Sequence, residues 1–200
     1  MDTCATQRIS RILLTGPPGI GKTTICKKIV GIFEKHNFNY DGFYTEEIRS
    51  SDKLRIGFDI VPLKNFDQRN WLARTEASLE GRKPSKIKVG NYLVFVDKFE
   101  SVALPRLKSK SDILMIDEIG KMELFSKQFC DCVEELFLKN SSKTKFIVAT
   151  IPAKDRVPQR HRSLFEKLYQ RSDCKIYEVN RQNRDKLPKE IESIIKVTMN

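Results

Sequence analysis

The chain has 200 residues with a formal net charge of +11 at pH 7; 40% are hydrophobic and 32% charged, which suits one globular domain and excludes a disordered chain. Apolar runs such as Tyr92–Val96 are far too short to cross a bilayer, and Met1–Ser10 has no hydrophobic signal core. We therefore expect an intracellular protein of the cytoplasm or nucleus with no membrane partner.

The first predicted element is a buried strand, Ile12–Thr15, followed by a glycine-rich loop and an amphipathic helix that ends near Lys35. The loop fits the pattern G-x-x-x-x-G-K-S/T, which in this order of strand, loop and helix indicates a phosphate-binding P-loop. The residues expected to contact phosphate are Gly16, Pro17, Pro18, Gly19, Ile20, Gly21, Lys22, Thr23 and Thr24.

Each polar residue of the loop has a specific expected role. Lys22 reaches the β- and γ-phosphates and contributes to catalysis through its charge, and the Thr23 hydroxyl binds Mg²⁺. Thr24 donates to the α-phosphate. The glycines permit positive φ and close approach of the backbone to phosphate.

Residues 40–96 are predicted to form a hairpin-like insertion, in which Tyr40–Arg49 and Leu54–Leu63 are antiparallel strands joined by a turn. The segment Phe66–Ala77 contains the single tryptophan, Trp71, and its pattern leaves helix and strand open. Two further pieces complete the insertion, the basic loop Gly81–Lys88 and the strand Tyr92–Val96.

A helix is predicted over residues 97–110. Asp97 is a plausible N-cap and Glu100 completes a capping box. Pro105 lies near the middle of this segment, so the pattern predicts a break or kink there.

The second half of the expected site follows the buried strand Ile113–Ile116, which ends in two carboxylates. In P-loop proteins a carboxylate at this point bonds the Mg²⁺ shell, so we assign that role to Asp117. Glu118 is positioned to accept a proton from the attacking water. Such a pair is typical of ATPases that carry their own base; alternatively, both residues simply open the next helix, where acids suit the helix dipole.

The C-terminal half continues the alternation of helices and strands. A helix with the apolar stripe Leu124–Phe137 runs to about Lys139, and the remaining predicted elements are the strands Phe146–Thr150 and Lys175–Val179 and the helices Arg162–Tyr169 and Leu187–Val197. This alternation predicts an α/β fold of P-loop NTPase type, in which a mainly parallel sheet has helices on both faces and the insertion interrupts one domain of residues 1–200.

Three features at the expected ligand-binding edge of the sheet each have two interpretations. The loop Ala153–Arg162 is either a lid with a charge-stabilising arginine or a solvated basic loop. Thr150 either senses the γ-phosphate or only ends its strand. Arg181–Arg184 either contacts the base, or its Asn183 or the following Asp185 caps the last helix.

The cysteines and histidines do not form a metal-binding pattern. An odd number of scattered cysteines indicates reduced thiols, and neither His36 nor His161 is spaced for zinc. The five cysteines are Cys4, Cys26, Cys130, Cys132 and Cys174.

The sequence resembles the thermophile-type nucleoside-triphosphatases, and the residues that carry the resemblance extend in order through almost the whole chain. They are Leu14–Thr24, Asp41–Arg49, Arg55–Val61, Val89–Tyr92, Phe99–Glu100, Ala103–Pro105, Ile116–Phe125, Thr150–Pro152 and Asn183–Arg184. The resemblance implies an α/β P-loop domain with features of RecA-like ATPases and small kinases. It also implies slow, Mg²⁺-dependent hydrolysis of several nucleoside triphosphates, ATP and GTP among them, to diphosphate and phosphate.

The same resemblance assigns phosphate and Mg²⁺ binding to Gly16–Thr24 and Asp117, and the role of base to Glu118. The sequence departs from its relatives in Phe66–Ser85 and Lys154–Arg162, so the lid gains little support from the family.

Two other functions stay open at this point. A small-molecule or nucleoside kinase would use the same scaffold, with the insertion holding an acceptor. A nucleic-acid-associated ATPase would use the net charge of +11, although no aromatic-basic motif for nucleic acid is present and a lysine-rich solvated surface explains the charge equally well. The sequence leaves the oligomeric state undetermined.

Overall fold

The computed structural model describes residues 8–139 and 143–199, so the predictions for Met1–Gln7, including a reduced Cys4, lie outside it. Within that part of the chain, five α-helices surround one sheet of nine strands. The helices are α1 Lys22–Lys35, α2 Val96–Leu107, α3 Lys127–Leu138, α4 Arg162–Gln170 and α5 Leu187–Met199. The strands are β1 Arg11–Thr15, β2 Tyr40–Arg49, β3 Arg55–Pro62, β4 Asn70–Thr75, β5 Ile87–Val89, β6 Tyr92–Val94, β7 Ile113–Ile116, β8 Phe146–Thr150 and β9 Cys174–Glu178.

The sheet has the strand order β5-β6-β4-β3-β2-β7-β8-β1-β9. Strands β2, β7, β8, β1 and β9 are parallel, whereas β3, β4, β6 and β5 continue the same sheet in antiparallel pairs. We call these two parts the parallel half and the antiparallel extension. The predicted α/β architecture is confirmed, and the hairpin-like insertion extends the main sheet.

Helices cover both faces of the sheet because each contributes one apolar stripe. On one face, α2, α3 and α4 pack through residues such as Phe99, Phe129 and Phe165. On the other, α1 and α5 pack through residues such as Ile29 and Ile191. No helix among the described residues is long and apolar enough to span a membrane.

The segment Phe66–Ala77, which the sequence pattern left ambiguous, contains a short 3₁₀ turn and then β4. The predicted basic loop Gly81–Lys88 ends in the short strand β5, so that prediction was correct only for its first part. Strands β4 and β5 are short and polar on one side. Their pairing with β3 and β6 therefore stabilises them more than their own hydrophobic pattern does.

The predicted capping box in α2 was wrong, and of the predicted break or kink at Pro105 the break does not occur. The helix begins at Val96, and the Asp97 side chain makes no capping hydrogen bond. Glu100 instead accepts hydrogen bonds from Ser126 (2.6 Å) and Gln128 (3.0 Å). The helix continues past Pro105 to Leu107, because buried side chains before and after the proline, Val102, Ala103 and Leu107, hold this face against the sheet.

Helix α3 begins later than predicted. Residues Glu123–Phe125 form a separate 3₁₀ turn, and the α-helix starts after Ser126. The Ser126 hydroxyl accepts the Phe129 N–H at 2.9 Å, which satisfies a donor at the helix N-terminus. The 3₁₀ turn Glu123–Phe125 thus lies between the predicted site residues Asp117 and Glu118 and the start of α3.

The centre of the sheet has the tightest packing. A Cβ on Gly42 of β2 would lie 1.9 Å from the Met115 carbonyl oxygen of β7, so only glycine fits there. Above this contact the rings of Phe43, Phe99 and Phe129 form a buried cluster, with centroids 5.1 to 6.2 Å apart. This packing fixes the end of β7, from which the site residues project.

Candidate functional site

The glycine-rich loop connects β1 directly to α1. Gly16, Gly19 and Gly21 all have positive φ, at 144°, 76° and 112°. A Cβ on Gly16 would lie 2.8 Å from the carbonyl oxygen of Val179, at the end of β9. The loop therefore needs glycine both for its conformation and for its close approach to the neighbouring strand.

Lys22 is the first residue of α1, and its Nζ donates a hydrogen bond to the Gly16 carbonyl at 3.0 Å. The ammonium group thus lies across the loop, at the N-terminal end of a helix whose dipole also favours anions. A phosphate bound to the loop would compete with this carbonyl for the lysine.

Asp117 follows β7 and is 1% exposed. The hydroxyl of Thr150, at the end of β8, donates to its Oδ1 at 2.6 Å, whereas its Oδ2 has no hydrogen-bond partner among the described residues. Burial raises the pKa of this carboxyl group, and the hydroxyls of Thr150 and Thr23 and the charge of Lys22 oppose that rise. Thr150 is itself fully buried and orients Asp117 through this hydrogen bond, and its role as a γ-phosphate sensor stays a prediction.

The donor set fits Mg²⁺. Thr23 and Asp117 come from different elements and lie close enough for the Thr23 hydroxyl to lower the pKa of the carboxyl group. The buried, unpaired Oδ2 of Asp117 is a hard anionic oxygen of the kind that Mg²⁺ prefers. Strand β8 lies between β7 and β1 in the sheet, and the distance along the sequence between the P-loop and Asp117 allowed such an intervening strand. Strand β8 also supplies Thr150, which orients Asp117.

Glu118 lines the same cavity as Lys22, Thr23 and Thr24, with a volume of about 470 Å³. Burial raises the pKa of its carboxyl group, the charge of Lys22 opposes that rise, and the charge of Asp117 adds to it. A carboxylate in contact with the cavity and with a raised pKa is a stronger base than an exposed one, which suits proton abstraction near neutral pH.

A second buried carboxyl group, which the sequence did not single out, lies beside Glu118. A Cβ on Gly120 would lie 2.8 Å from Oε2 of Glu123 and 2.9 Å from Oε1 of Glu118. Burial, followed by the charge of Glu118, raises the pKa of Glu123 to about 8. The only sequence signal was an acid inside the otherwise apolar run Met122–Phe125.

The opposite wall of the cavity comes from the β2–β3 hairpin, which sequence reasoning had linked only to a kinase acceptor. Arg55 is the cation of this wall, Lys27 of α1 lines the cavity as well, and each is held by a glutamate of β2. Glu47 binds Arg55 at 2.5 Å, and Glu46 binds Lys27 at 3.3 Å.

The loop Ala153–Arg162 is predicted either as a lid or as a solvated basic loop. Among the residues that line the cavity, none comes from residues 153–162. Arg160 has its guanidinium carbon 4.0 Å from the ring centroid of Phe125, and Lys154 lies over Tyr169 at 5.2 Å. The arginine that the structure brings to the phosphate cavity is Arg55.

The segment after β9 contacts the outside of the loop. Arg184 donates to the Ile20 carbonyl at 3.5 Å. Asn183 forms part of the turn, because it accepts the Asn180 N–H at 2.9 Å and donates to the Glu178 carbonyl at 2.8 Å.

Comparison with known proteins now adds to this geometry. The sequence profile of the family described as NTPase matches residues 11–192. The chain belongs to this NTPase family.

Two relatives and one crystal structure show the extent of the match. The chain is 38% identical over 191 residues to the "Cancer-related nucleoside-triphosphatase homolog" of Mus musculus, covering 92% of this chain and 95% of that protein. It is 39% identical over 189 residues to "Nucleoside-triphosphatase THEP1" of Thermotoga maritima, covering 93% and 95%. The crystal structure of THEP1 from Aquifex aeolicus aligns with a TM-score of 0.72 at 34% identity, covering 92% of this chain and 98% of that one.

Proposed function

We propose that this protein hydrolyses nucleoside 5′-triphosphates, ATP and GTP among them, to nucleoside diphosphate and phosphate in a Mg²⁺-dependent reaction. The observation that carries this proposal is the meeting of Lys22, Thr23 and Glu118 in one cavity, next to buried Asp117. Its relatives in the NTPase family bear the name nucleoside-triphosphatase, which supports hydrolysis over transfer to another acceptor.

Residues Gly16–Thr24 bind the phosphates in this mechanism. The backbone N–H groups of the loop and the Lys22 ammonium offset the negative charge of the β- and γ-phosphates, and the Thr24 hydroxyl donates to the α-phosphate. Thr23 and Asp117 would hold Mg²⁺, which when bound neutralises charge on the β- and γ-phosphate oxygens.

Glu118 accepts a proton from a water molecule in line with the γ-phosphate. The water oxygen forms a bond to the γ-phosphorus while the bond to the β–γ bridging oxygen breaks, and the diphosphate leaves with that electron pair. The proton then passes from Glu118 to phosphate or solvent, which restores the base. Arg55, on the opposite wall, adds positive charge where the γ-phosphate would end.

The test measures phosphate release from ATP, GTP, CTP and UTP, with Mg²⁺ and with EDTA, in the absence of any acceptor. Hydrolysis predicts steady release with Mg²⁺ that stops with EDTA. A protein that consumes nucleotide only after a hydroxyl acceptor is added, with the γ-phosphoryl group transferred to that acceptor and diphosphate released, would be a kinase, and the proposal would be wrong.

A further inference from the structure

A second cavity of about 600 Å³ lies at the end of the antiparallel extension, between β4, the segment before β5, and the start of α2. It shares no lining residue with the P-loop cavity. Its aromatic floor is Trp71, whose ring meets that of Phe95 edge-on with centroids 5.5 Å apart. The proposed hydrolysis makes no use of this cavity.

Cations gather on Trp71. The Lys98 Nζ lies 3.9 Å from the ring centroid, and the guanidinium carbons of Arg82 and Arg74 lie 4.7 Å from it. Attraction between each cation and the ring positions the charge without neutralising it. The ring therefore orients positive side chains beside the cavity.

The charge of this cavity is unbalanced. Asp97 is the one acid among its lining residues, against four cations, which are Arg82, Lys83, Lys86 and Lys98. Within the described part of the chain, none of these four forms an ion pair, whereas Arg74 on the same ring is paired with Asp59. By contrast, two of the cations that line the P-loop cavity, Lys27 of α1 and Arg55 of β3, are paired with glutamates of β2.

Clustered, unpaired cations repel one another, and an anion that binds among them relieves this repulsion. Four cations in a compact space suit a ligand with several negative charges close together, and arginine and lysine both bind phosphate well. We propose that the Trp71 cavity binds phosphate groups, either of a nucleic-acid backbone or of a free oligophosphate. This site is separate from the P-loop and does not require that the protein hydrolyse nucleotides.

Trp71 is the chain's single tryptophan, so intrinsic fluorescence reports on this cavity directly. The experiment titrates the full-length protein with tripolyphosphate and, separately, with a single-stranded oligothymidylate. Equilibrium dialysis of the labelled ligands detects binding that leaves the emission unchanged. We expect saturable binding that weakens as salt is added, as phosphate contacts require.

The decisive variant is the double charge reversal Arg82→Glu with Lys98→Glu, which should weaken binding about tenfold or more. Its matched control is Lys167→Glu with Lys189→Glu, which changes the net charge equally at exposed residues of α4 and α5. The control should bind within about twofold of the unaltered protein. Both doubles should hydrolyse nucleotide at the unaltered rate, which separates this site from the proposed function.

The Lys22→Ala variant tests the separation of the two sites by changing the P-loop. It should still bind tripolyphosphate or oligothymidylate at the Trp71 cavity. Preference for oligothymidylate identifies nucleic acid as the source of the phosphates, and preference for tripolyphosphate identifies a free oligophosphate. The proposal is overturned if neither ligand binds in the Lys22→Ala variant, if both charge reversals weaken binding equally, or if poly-glutamate of equal charge binds as tightly.

Discussion

In the parallel half of the sheet, β1, β7 and β8 are buried along their whole length. In the antiparallel extension, β3 and β4 begin with exposed or half-buried residues, and charged side chains are held by one another. Asp59 of β3 is paired with Arg69 and Arg74, and Arg55 of β3 is paired with Glu47 of the neighbouring strand β2. Both halves reach the phosphate cavity, but through different chemistry.

The two parts of the sheet therefore contribute to the site in different ways. Apolar packing leaves the ends of β1, β7 and β8 little freedom, so Lys22, Asp117 and Glu118 have defined positions before a nucleotide binds. In the extension, Arg55 can exchange its partner Glu47 for a phosphate group when an oligophosphate enters the P-loop cavity. We expect changes in the parallel half to remove activity or stability, and changes in the extension to reduce activity.

The largest expected effect is that of Lys22→Ala in the parallel half. Loss of the ammonium group should lower phosphate release by about a thousandfold and weaken nucleotide binding, since its charge faces the β- and γ-phosphates. Phosphate release and equilibrium dialysis of ATP measure both. Lys28→Ala, on the same helix but paired with Asp185, is the control and should stay near the unaltered rate. Equal loss in both variants would contradict the assignment.

Gly42→Ala tests the packing against β7 of β2, the parallel strand to which the antiparallel extension is attached. A Cβ 1.9 Å from the Met115 carbonyl forces β2 away from β7, which should lower the free energy of unfolding by about 3 kcal/mol or more. Urea denaturation provides the measurement. Gly31→Ala is the matched control: it has open space in α1, and better helix propensity should stabilise it by up to about 1 kcal/mol.

Glu118→Gln should lower turnover by about a hundredfold or more while nucleotide binding persists, because glutamine keeps the size but cannot accept the proton. Phosphate release and ATP dialysis again separate the two quantities. Glu134→Gln, on the exposed side of α3, serves as control. Hydrolysis at the unaltered rate in the Glu118 variant would assign the base elsewhere.

Glu123→Gln should change how stability depends on pH. The folded pKa of about 8 lies above the ordinary 4.5, so the folded protein holds this proton more tightly than the unfolded chain. Stability contributed by this group is therefore complete below about pH 4.5 and is lost as pH rises to about 8. Urea denaturation at pH 5 and pH 8 should show the glutamine variant gaining about 3 kcal/mol relative to the unaltered protein at the higher pH. Parallel curves for the two proteins would contradict the raised pKa.

Arg55→Ala tests whether the extension takes part in the chemistry. Removing its charge from the cavity should lower turnover by about tenfold. Arg49→Ala is the control, since Arg49 also pairs with Glu47 but does not line the cavity. If the two variants have the same turnover, the extension contributes only to structure, and the parallel half alone carries out the chemistry.

The parallel half was predictable because its signals are local. Short apolar runs that end in glycine or acidic residues indicate buried strands, and the loop pattern defines its own flanking elements. Residues 16–24 and the position of Asp117 and Glu118 after a strand therefore followed from the sequence, although their roles still rest on the tests above.

The rest depended on contacts between distant parts of the chain. Arg55 reaches the cavity only because β3 pairs with β2, and Glu123 approaches Glu118 only because a 3₁₀ turn folds back. The sequence left the loop Ala153–Arg162 open between a lid and a solvated basic loop, because a basic loop after a strand shows charge but not direction; in the structure its Arg160 stacks on Phe125. In α2, proximity to Ser126 and Gln128 outweighed a local capping pattern at Glu100.

The two edge strands of the sheet, unlike its buried centre, expose charged side chains that oppose aggregation in crowded solution. One edge, β5, has only three residues, with exposed Lys88 in the middle. The other, β9, exposes Lys175 and Glu178. A lysine that must be desolvated, or a strand too short to template a partner, discourages edge-to-edge addition of a foreign strand. The nine-stranded sheet thus has built-in protection against growing into an aggregate at either end.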